Sequence, residues 1–180
     1  METKSIAELC EIISGGTPKT NISEYWNGDI GWLSVKDFGG GKKYVYNSEK
    51  TITRLGVEKS STNILREDDI ILSARGTVGE MAMIGTPMAF NQSCFGLRTK
   101  DNNVLNQEYL FYALKNSLKS IISVTQGSVF ETINRASFER IFISYSDIHT
   151  QKKVATFLSN IDEKIEINDQ INRNLYELAS

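Results

Sequence analysis

The chain has 180 residues, 40% of them hydrophobic, 23% charged and 9% aromatic, which is enough to bury a core and too apolar for a disordered chain. Twenty Lys and Arg against 22 Asp and Glu leave a formal charge of -2, so bulk attraction to nucleic acid is excluded and any such binding must come from a local patch. No uncharged apolar run reaches the ~18 positions of a membrane span, and the opening Met1-Glu2-Thr3-Lys4 predicts no export leader and a cytoplasmic protein.

In chain order, Ser5 with Glu8 three residues later forms a capping box opening onto Ile6, Leu9 and Ile13, a helix that Gly15-Gly16 stops. Five β-type runs follow between turn residues, at 31–35, 43–46, 69–73, 80–84 and 93–97. A second helix is predicted from Gln107 to Ile121, with Asn106 as N-cap and Leu110, Phe111, Leu114 and Leu118 on one face. Strands and helices mix without strict alternation, which predicts an α+β globular domain of short strands and a few helices over residues 1–148.

Both prolines and all thirteen glycines precede Tyr145, and residues 149–180 read as one long helix. Val154, Leu158, Ile161, Ile165, Asn168, Asn172, Leu175 and Ala179 recur at spacings of four and three, the seam of a coiled coil. Phe157, Ile171 and Leu178 form a second stripe beside it. One helix cannot bury two stripes alone, so it needs its own domain and a partner helix; folding back on its own domain only is the alternative. Asn168 and Asn172 in the seam would fix register and partner number.

Constellations for catalysis are missing. Two lone cysteines, Cys10 and Cys94, with the single histidine His149 make no zinc cluster and no disulfide framework, so neither metal nor cofactor is expected. The segment 14–20 lacks phosphate-loop spacing, and 37–41, although it reads Asp-Phe-Gly, lacks the lysine strand and catalytic loop of a kinase. Glu67-Asp68-Asp69 makes a turn, and His149 reads as a surface or capping residue.

Four motifs remain. They are Gly15-Gly16-Thr17-Pro18 followed by the run from Tyr25 to Leu33; Asp69 to Ser73 with Gly76-Thr77-Val78-Gly79; Asn91-Gln92; and Gln151-Lys152-Lys153-Val154-Ala155 leading to Leu158, Ile161-Asp162 and Ile165. In this order, across essentially the whole chain, they resemble the specificity subunit of type I DNA restriction-modification systems. The resemblance implies one target recognition domain and one spacer helix, a half-length form, since a complete subunit carries two of each and no internal repeat is present at half the length. It also implies a non-catalytic protein that recognises double-stranded DNA and directs modification (methyltransferase) subunits and a restriction subunit to a bipartite site. A second copy of the chain, paired through the C-terminal helix, would supply the missing half. Where the family has a proline-rich turn this chain reads Ser144-Tyr145-Ser146-Asp147. Other readings are a fragment of a two-domain subunit, a recognition domain of a fused restriction-methyltransferase, a coiled-coil protein adaptor and, remotely, a small enzyme.

Sequence readout needs hydrogen-bonding side chains on rigidly held loops, with Lys and Arg on phosphates. Three loops are candidates: 36–44 with Lys36, Lys42, Lys43 and Tyr44; 73–78 with Arg75 and Thr77; and 125–128 with Gln126 and Ser128, followed by Arg135. The alternatives are a solvated charged hairpin, a turn with a surface arginine and a helix cap. Trp26 and Trp32 read as core anchors rather than stacking platforms.

Overall fold

The computed structural model describes residues 1–124 and 132–179, the side chains of 119–124 and 179 excepted. Its elements are β1 (Glu2–Ser5), α1 (Ile6–Leu9), β2 (Cys10–Ser14), β3 (Trp26–Leu33), α2 (Val35–Phe38), β4 (Tyr44–Val45), β5 (Lys50–Ile52), α3 (Arg54–Glu58), β6 (Ile64–Leu65), β7 (Ile70–Ser73), β8 (Met81–Ile84), β9 (Met88–Phe90), β10 (Cys94–Thr99), α4 (Gln107–Val124), β11 (Phe142–Tyr145) and α5 (Ile148–Ala179). Strands pair as a five-stranded sheet β2-β10-β7-β8-β4, a four-stranded sheet β5-β3-β9-β6 and the pair β1-β11. The α+β expectation holds, with a sheet-rich domain followed by one long helix.

The five-stranded sheet is covered on both faces, which explains why β7 and β8 read as continuous apolar runs. Alternation sends Ile70, Leu72, Met81 and Met83 into one cluster with Leu110, Phe111, Leu114 and Leu118 of α4. It sends Ile71, Ala82 and Ile84 into another with Leu33, Leu65, Met88 and Phe90 from the four-stranded sheet. Trp32 is buried among Ile52 and Ala89, with Trp26 edge-on to it at 5.3 Å.

The first capping box forms, Glu8 Oε2 accepting from the Ser5 amide at 2.9 Å and Ser5 Oγ from the Glu8 amide at 3.3 Å. Its helix is shorter than the sequence predicts, because Cys10 to Ser14 extend to pair with β10, Ile13 opposite Gly96. Ladder pairing outweighs the local helical preference there. At α4 the Asn106 carboxamide accepts from the Tyr109 amide at 2.9 Å, as a cap should. At α5 Asp147 caps the Thr150 amide at 3.0 Å, and the helix continues without interruption through Asn168 and Asn172. Among the described residues no helix is long and apolar enough to cross a membrane.

Helix α5 docks on its domain mainly by residues outside its two apolar stripes. Gln151 and Ala155 are buried against the domain, and Leu158, Ser159 and Asp162 are partly covered. By contrast, Phe157 is 66% exposed, Ile165 53% and Leu175 58%, and Val154, Ile161, Ile171 and Leu178 are exposed as well. At ~100° per residue Val154, Ile161 and Ile165 lie beside the docked positions, while Phe157, Ile171, Leu175 and Leu178 lie further round the helix. The two apolar stripes are thus left largely uncovered by the domain, with Leu158 partly covered.

Asp69, 3% exposed, is held by Arg98, whose Nε donates to Oδ1 at 2.7 Å and Nη2 to Oδ2 at 2.5 Å. These bonds raise the guanidinium above its ordinary value. Arg98→Met strands the buried carboxylate and is expected to cost about 3–5 kcal/mol in urea denaturation. Cys10 and Cys94 are both buried, and burial pushes each thiol up to about 12. Neither is expected to react with a thiol-specific reagent at pH 8 until the protein unfolds.

Candidate nucleic-acid interface

The loops that leave β2, β3, β7 and β9 all emerge at one end of the stacked sheets, and backbone hydrogen bonds tie them side by side. The Gly16 amide donates to the Phe90 carbonyl at 2.9 Å, Asn91 to Leu33 at 2.9 Å, Ala74 to Ser93 at 2.8 Å and Ile133 to Ala74 at 2.8 Å. The result is a continuous rim running from Ser34 past Asn91 and Ser93 to Ala74 and Ile133. It gathers Lys36 on α2, Arg75 and Thr77 on the 73–78 loop, and the stretch from Thr132 to Arg135 that follows the third candidate loop in sequence. Arg75 forms a β-bridge with Thr132, so the 73–78 loop lies beside the start of the 132–135 stretch. Gln126 and Ser128 lie outside the described residues.

The 73–78 loop is preorganised by its own groups. Ser73 Oγ donates to the Thr77 carbonyl at 2.5 Å and accepts from the Glu80 amide at 2.9 Å, while the Gly79 amide donates to the Ser73 carbonyl at 3.0 Å. Gly76 and Gly79 take φ of 75° and 94°, a region L side chains disfavour. Arg75, Gly76 and Thr77 are thereby left exposed at the tip. Arg135 is exposed too, but its Nη2 donates to the Ile12 carbonyl at 2.7 Å and to Ser14 Oγ at 3.3 Å, which fixes the guanidinium beside the end of β2. Lys36 is exposed, and the Asp37 carboxylate next to it is occupied by the amides of Ser34 and Glu49, both at 2.7 Å.

Three residues of the first loop do not belong to this rim. Lys43 is 5% exposed; its ammonium pairs with Glu108 of α4, donates to Ser159 Oγ of α5 at 2.6 Å and lies over the rings of Tyr44 and Tyr112. A phosphate cannot reach it, and the expectation that Lys43 contacts DNA is corrected. Tyr44 is half-buried and donates its hydroxyl to Asp68 at 3.0 Å, lining a cleft against α5 rather than offering a stacking face. Lys42 is exposed and borders the same cleft, facing Glu166, Asp169, Gln170 and Arg173. Since β4 is an edge strand beside α5, residues 42–44 address the helix more than the rim.

The motifs that carry the sequence resemblance are mostly scaffold. A Cβ on Gly15 would stand 2.0 Å from the Asn91 carbonyl oxygen, so only glycine permits that approach. Thr17 donates its hydroxyl to Gln92 and Trp32 Nε1 donates to the Gly16 carbonyl at 3.0 Å, joining the first motif to the third. Gln151, fully buried, donates to the carbonyls of Val104 and Ser146 at 2.9 and 2.8 Å and accepts from the Asn106 amide at 2.9 Å. Sequence reasoning marked these positions without showing their task. It missed the inter-helix pair of Tyr112, whose hydroxyl donates to Asp162 at 2.8 Å; no local pattern signals a partner fifty positions away.

Comparison with known proteins agrees with this architecture. Residues 1–177 match the type I restriction modification DNA specificity domain. The MjaIX type I restriction enzyme specificity subunit of Methanocaldococcus jannaschii is 33% identical over 99% of this chain and 41% of its own length. The EcoR124I/EcoR124II specificity subunit of Escherichia coli is 28% identical over 90% of this chain and 41% of its own. The crystal structure of the HsdS subunit from Thermoanaerobacter tengcongensis superposes with a TM-score of 0.70 at 17% identity, covering 94% of this chain and 39% of that one. The chain thus spans about two fifths of the length of the relatives it matches. On the match over nearly all of its residues, the chain belongs to the type I restriction modification DNA specificity domain family.

Proposed function

We propose that this chain is a non-catalytic module that recognises one half of a bipartite DNA site and brings modification and restriction subunits to it in the cytoplasm. The observation that carries the reading is the laterally bonded rim, which holds Lys36, Arg75, Thr77 and Arg135 on loops braced by two sheets, within a chain of the specificity-domain family. Rigid loops with donors at the tip suit base edges, and exposed lysines beside them suit phosphates. Gln126 and Ser128 of the 125–128 loop are included in this proposal as polar side chains suited to base edges.

The exposed stripe Val154, Phe157, Ile161, Ile165 and Leu175 supports the second half of the reading. Such a stripe along a continuous helix calls for another helix, and a second copy of this chain supplies one with closed two-fold symmetry. Antiparallel pairing of α5, with Leu158, Asn168 and Asn172 in or beside the seam, would set two recognition domains apart and impose an inverted repeat on the DNA. The share of the relatives' length that is covered also favours a second reading, in which the partner helix lies further along one longer chain.

Arg75→Ala is expected to flatten discrimination between duplexes by ~1–3 kcal/mol, measured by competition binding of the complex with modification subunits. Lys36→Ala is expected to weaken every duplex alike and to lower the salt slope by about 1, the change expected for one phosphate left without its lysine. Equal loss on all duplexes in the arginine variant would remove Arg75 from readout. For assembly, light scattering is expected to give about twice 20.2 kDa, and Ile161→Asp with Ile165→Asp is expected to yield monomers with an unchanged thermal unfolding of the domain. A monomer at tens of micromolar before mutation would favour the longer-chain reading.

A further inference from the structure

The rim has two unlike ends. Arg135 stands at one of them, bonded to Ile12 and Ser14 of β2, the strand at one edge of the five-stranded sheet. Lys36 on α2 stands at the other, and its neighbour Asp37 borders the cleft that faces Glu166, Asp169 and Arg173 of α5. Strand β4 forms the opposite edge of that sheet, and beside it Lys43 donates to Ser159 of α5. The Lys36 end of the rim is therefore the end next to the long helix.

At this end the surface continues past the rim. Lys50 opens β5 and pairs with Trp32 near the end of β3. Ser48 pins this register, its hydroxyl accepting from the Trp32 amide at 3.0 Å and donating to the Lys50 carbonyl at 2.7 Å. The Glu49 amide donates to Asp37 at 2.7 Å, which ties the same stretch to α2. Lys36 and Lys50, both exposed, thus line one groove of about 280 Å³ with Ser34 and Glu49. A second groove of about 310 Å³ shares Glu49 and Lys50 and is lined beyond them by Thr20, Asn27 and Thr51.

The chemistry of these grooves suits phosphate rather than bases. Trp32 is buried and its Nε1 is committed to the Gly16 carbonyl, so the first groove offers no stacking face. What remains is an ammonium on each side of it and hydroxyl and carboxamide donors beyond, the groups that hold phosphate oxygens without reading sequence. The Asp37 carboxylate is occupied by the Ser34 and Glu49 amides, and Glu49 tempers the positive charge, so a phosphate is held by placed donors and not by bulk charge. In either assembly given above, the second recognition domain lies beyond the free half of α5, which turns the Lys36 end of the rim toward the gap between half-sites. We propose that Lys50, across the groove from Lys36, contacts a backbone phosphate on the gap side of the half-site, so that the duplex enters the rim over the start of β5 and passes Arg75 before Arg135. The proposal rests on the bipartite-site reading and adds to it a direction along the DNA.

The test uses the full chain with its modification subunits, on duplexes carrying the target located beforehand by mapping methylated adenines. Phosphates are replaced one at a time by uncharged methylphosphonates, through the gap and through both outer flanks, and affinity is read between about 50 and 200 mM salt. Lys50→Ala is expected to lower the salt slope by about 1, so that its deficit against the unmutated chain shrinks ~3.5-fold over that range. A methylphosphonate at one gap-side position is expected to do the same to the unmutated chain and to cost the Lys50→Ala variant nothing more. Replacements in the outer flanks are expected to cost both proteins equally, and Lys50→Arg, which keeps the cation, is expected to retain the slope. An unchanged slope in Lys50→Ala overturns the proposal, as does coupling to an outer-flank phosphate or to none. A loss in Lys50→Ala that is equal at every salt concentration also overturns it and makes Lys50 merely structural. If the unmutated complex marks sites that are not bipartite, the functional reading itself falls, whatever the phosphate scan gives.

Discussion

One buried carboxamide ties the two parts of this molecule together. Gln151 has no exposed surface, and all its hydrogen-bonding partners are backbone groups from the approach to α4 and from the turn before α5. Burying it unpaired would cost as much as several apolar contacts provide, so the first turn of α5 has one place to sit. Once that turn is placed, helical geometry decides which residues face the domain. Ala155, Ser159 and Asp162 follow Gln151 on the docked side, and the isoleucine stripe is carried round to solvent.

The same constraint accounts for the fate of the lysine-rich loop. Strand β4 lies at the edge of the five-stranded sheet, where α4 and α5 pass, and Lys43 emerges toward the carboxylate of Glu108. A lysine so enclosed by two tyrosine rings and a carboxylate is a structural cation. Lys36 and Arg75 are exposed instead, and their charges stay open to phosphate or base edges.

The rim illustrates a division of labour between scaffold and reader. Gly15, Gly16, Thr17, Asn91 and Gln92 hold loops to one another through backbone contacts and a side-chain bond, which leaves the tips free to differ without disturbing the frame. Motifs built from such residues are easy to find in a sequence because each requires a particular residue type: glycine for close approach, asparagine or glutamine for several bonds at once. The tips carry no such requirement. Arg75 and Lys36 were legible as candidates only because positive charge on a glycine-containing loop is an unusual local combination.

What the sequence alone determined rests on short-range physics. The capping box at Ser5 and Glu8, the apolar face of α4, the continuous apolar strands β7 and β8 and the uninterrupted helix α5 all depend on residues within a few positions of one another, and the family motifs on residue types at fixed places. Only the tertiary structure decided that the first helix yields to β2 after one turn, that Lys43 is buried and Tyr44 turned to Asp68, and that α5 docks by its polar side. Each of these depends on partners far away in the chain: Lys43 and Ser159 are 116 positions apart, Tyr112 and Asp162 fifty. A periodic pattern tells which residues share a helix face, but which face is covered depends on the groups the rest of the fold presents to it.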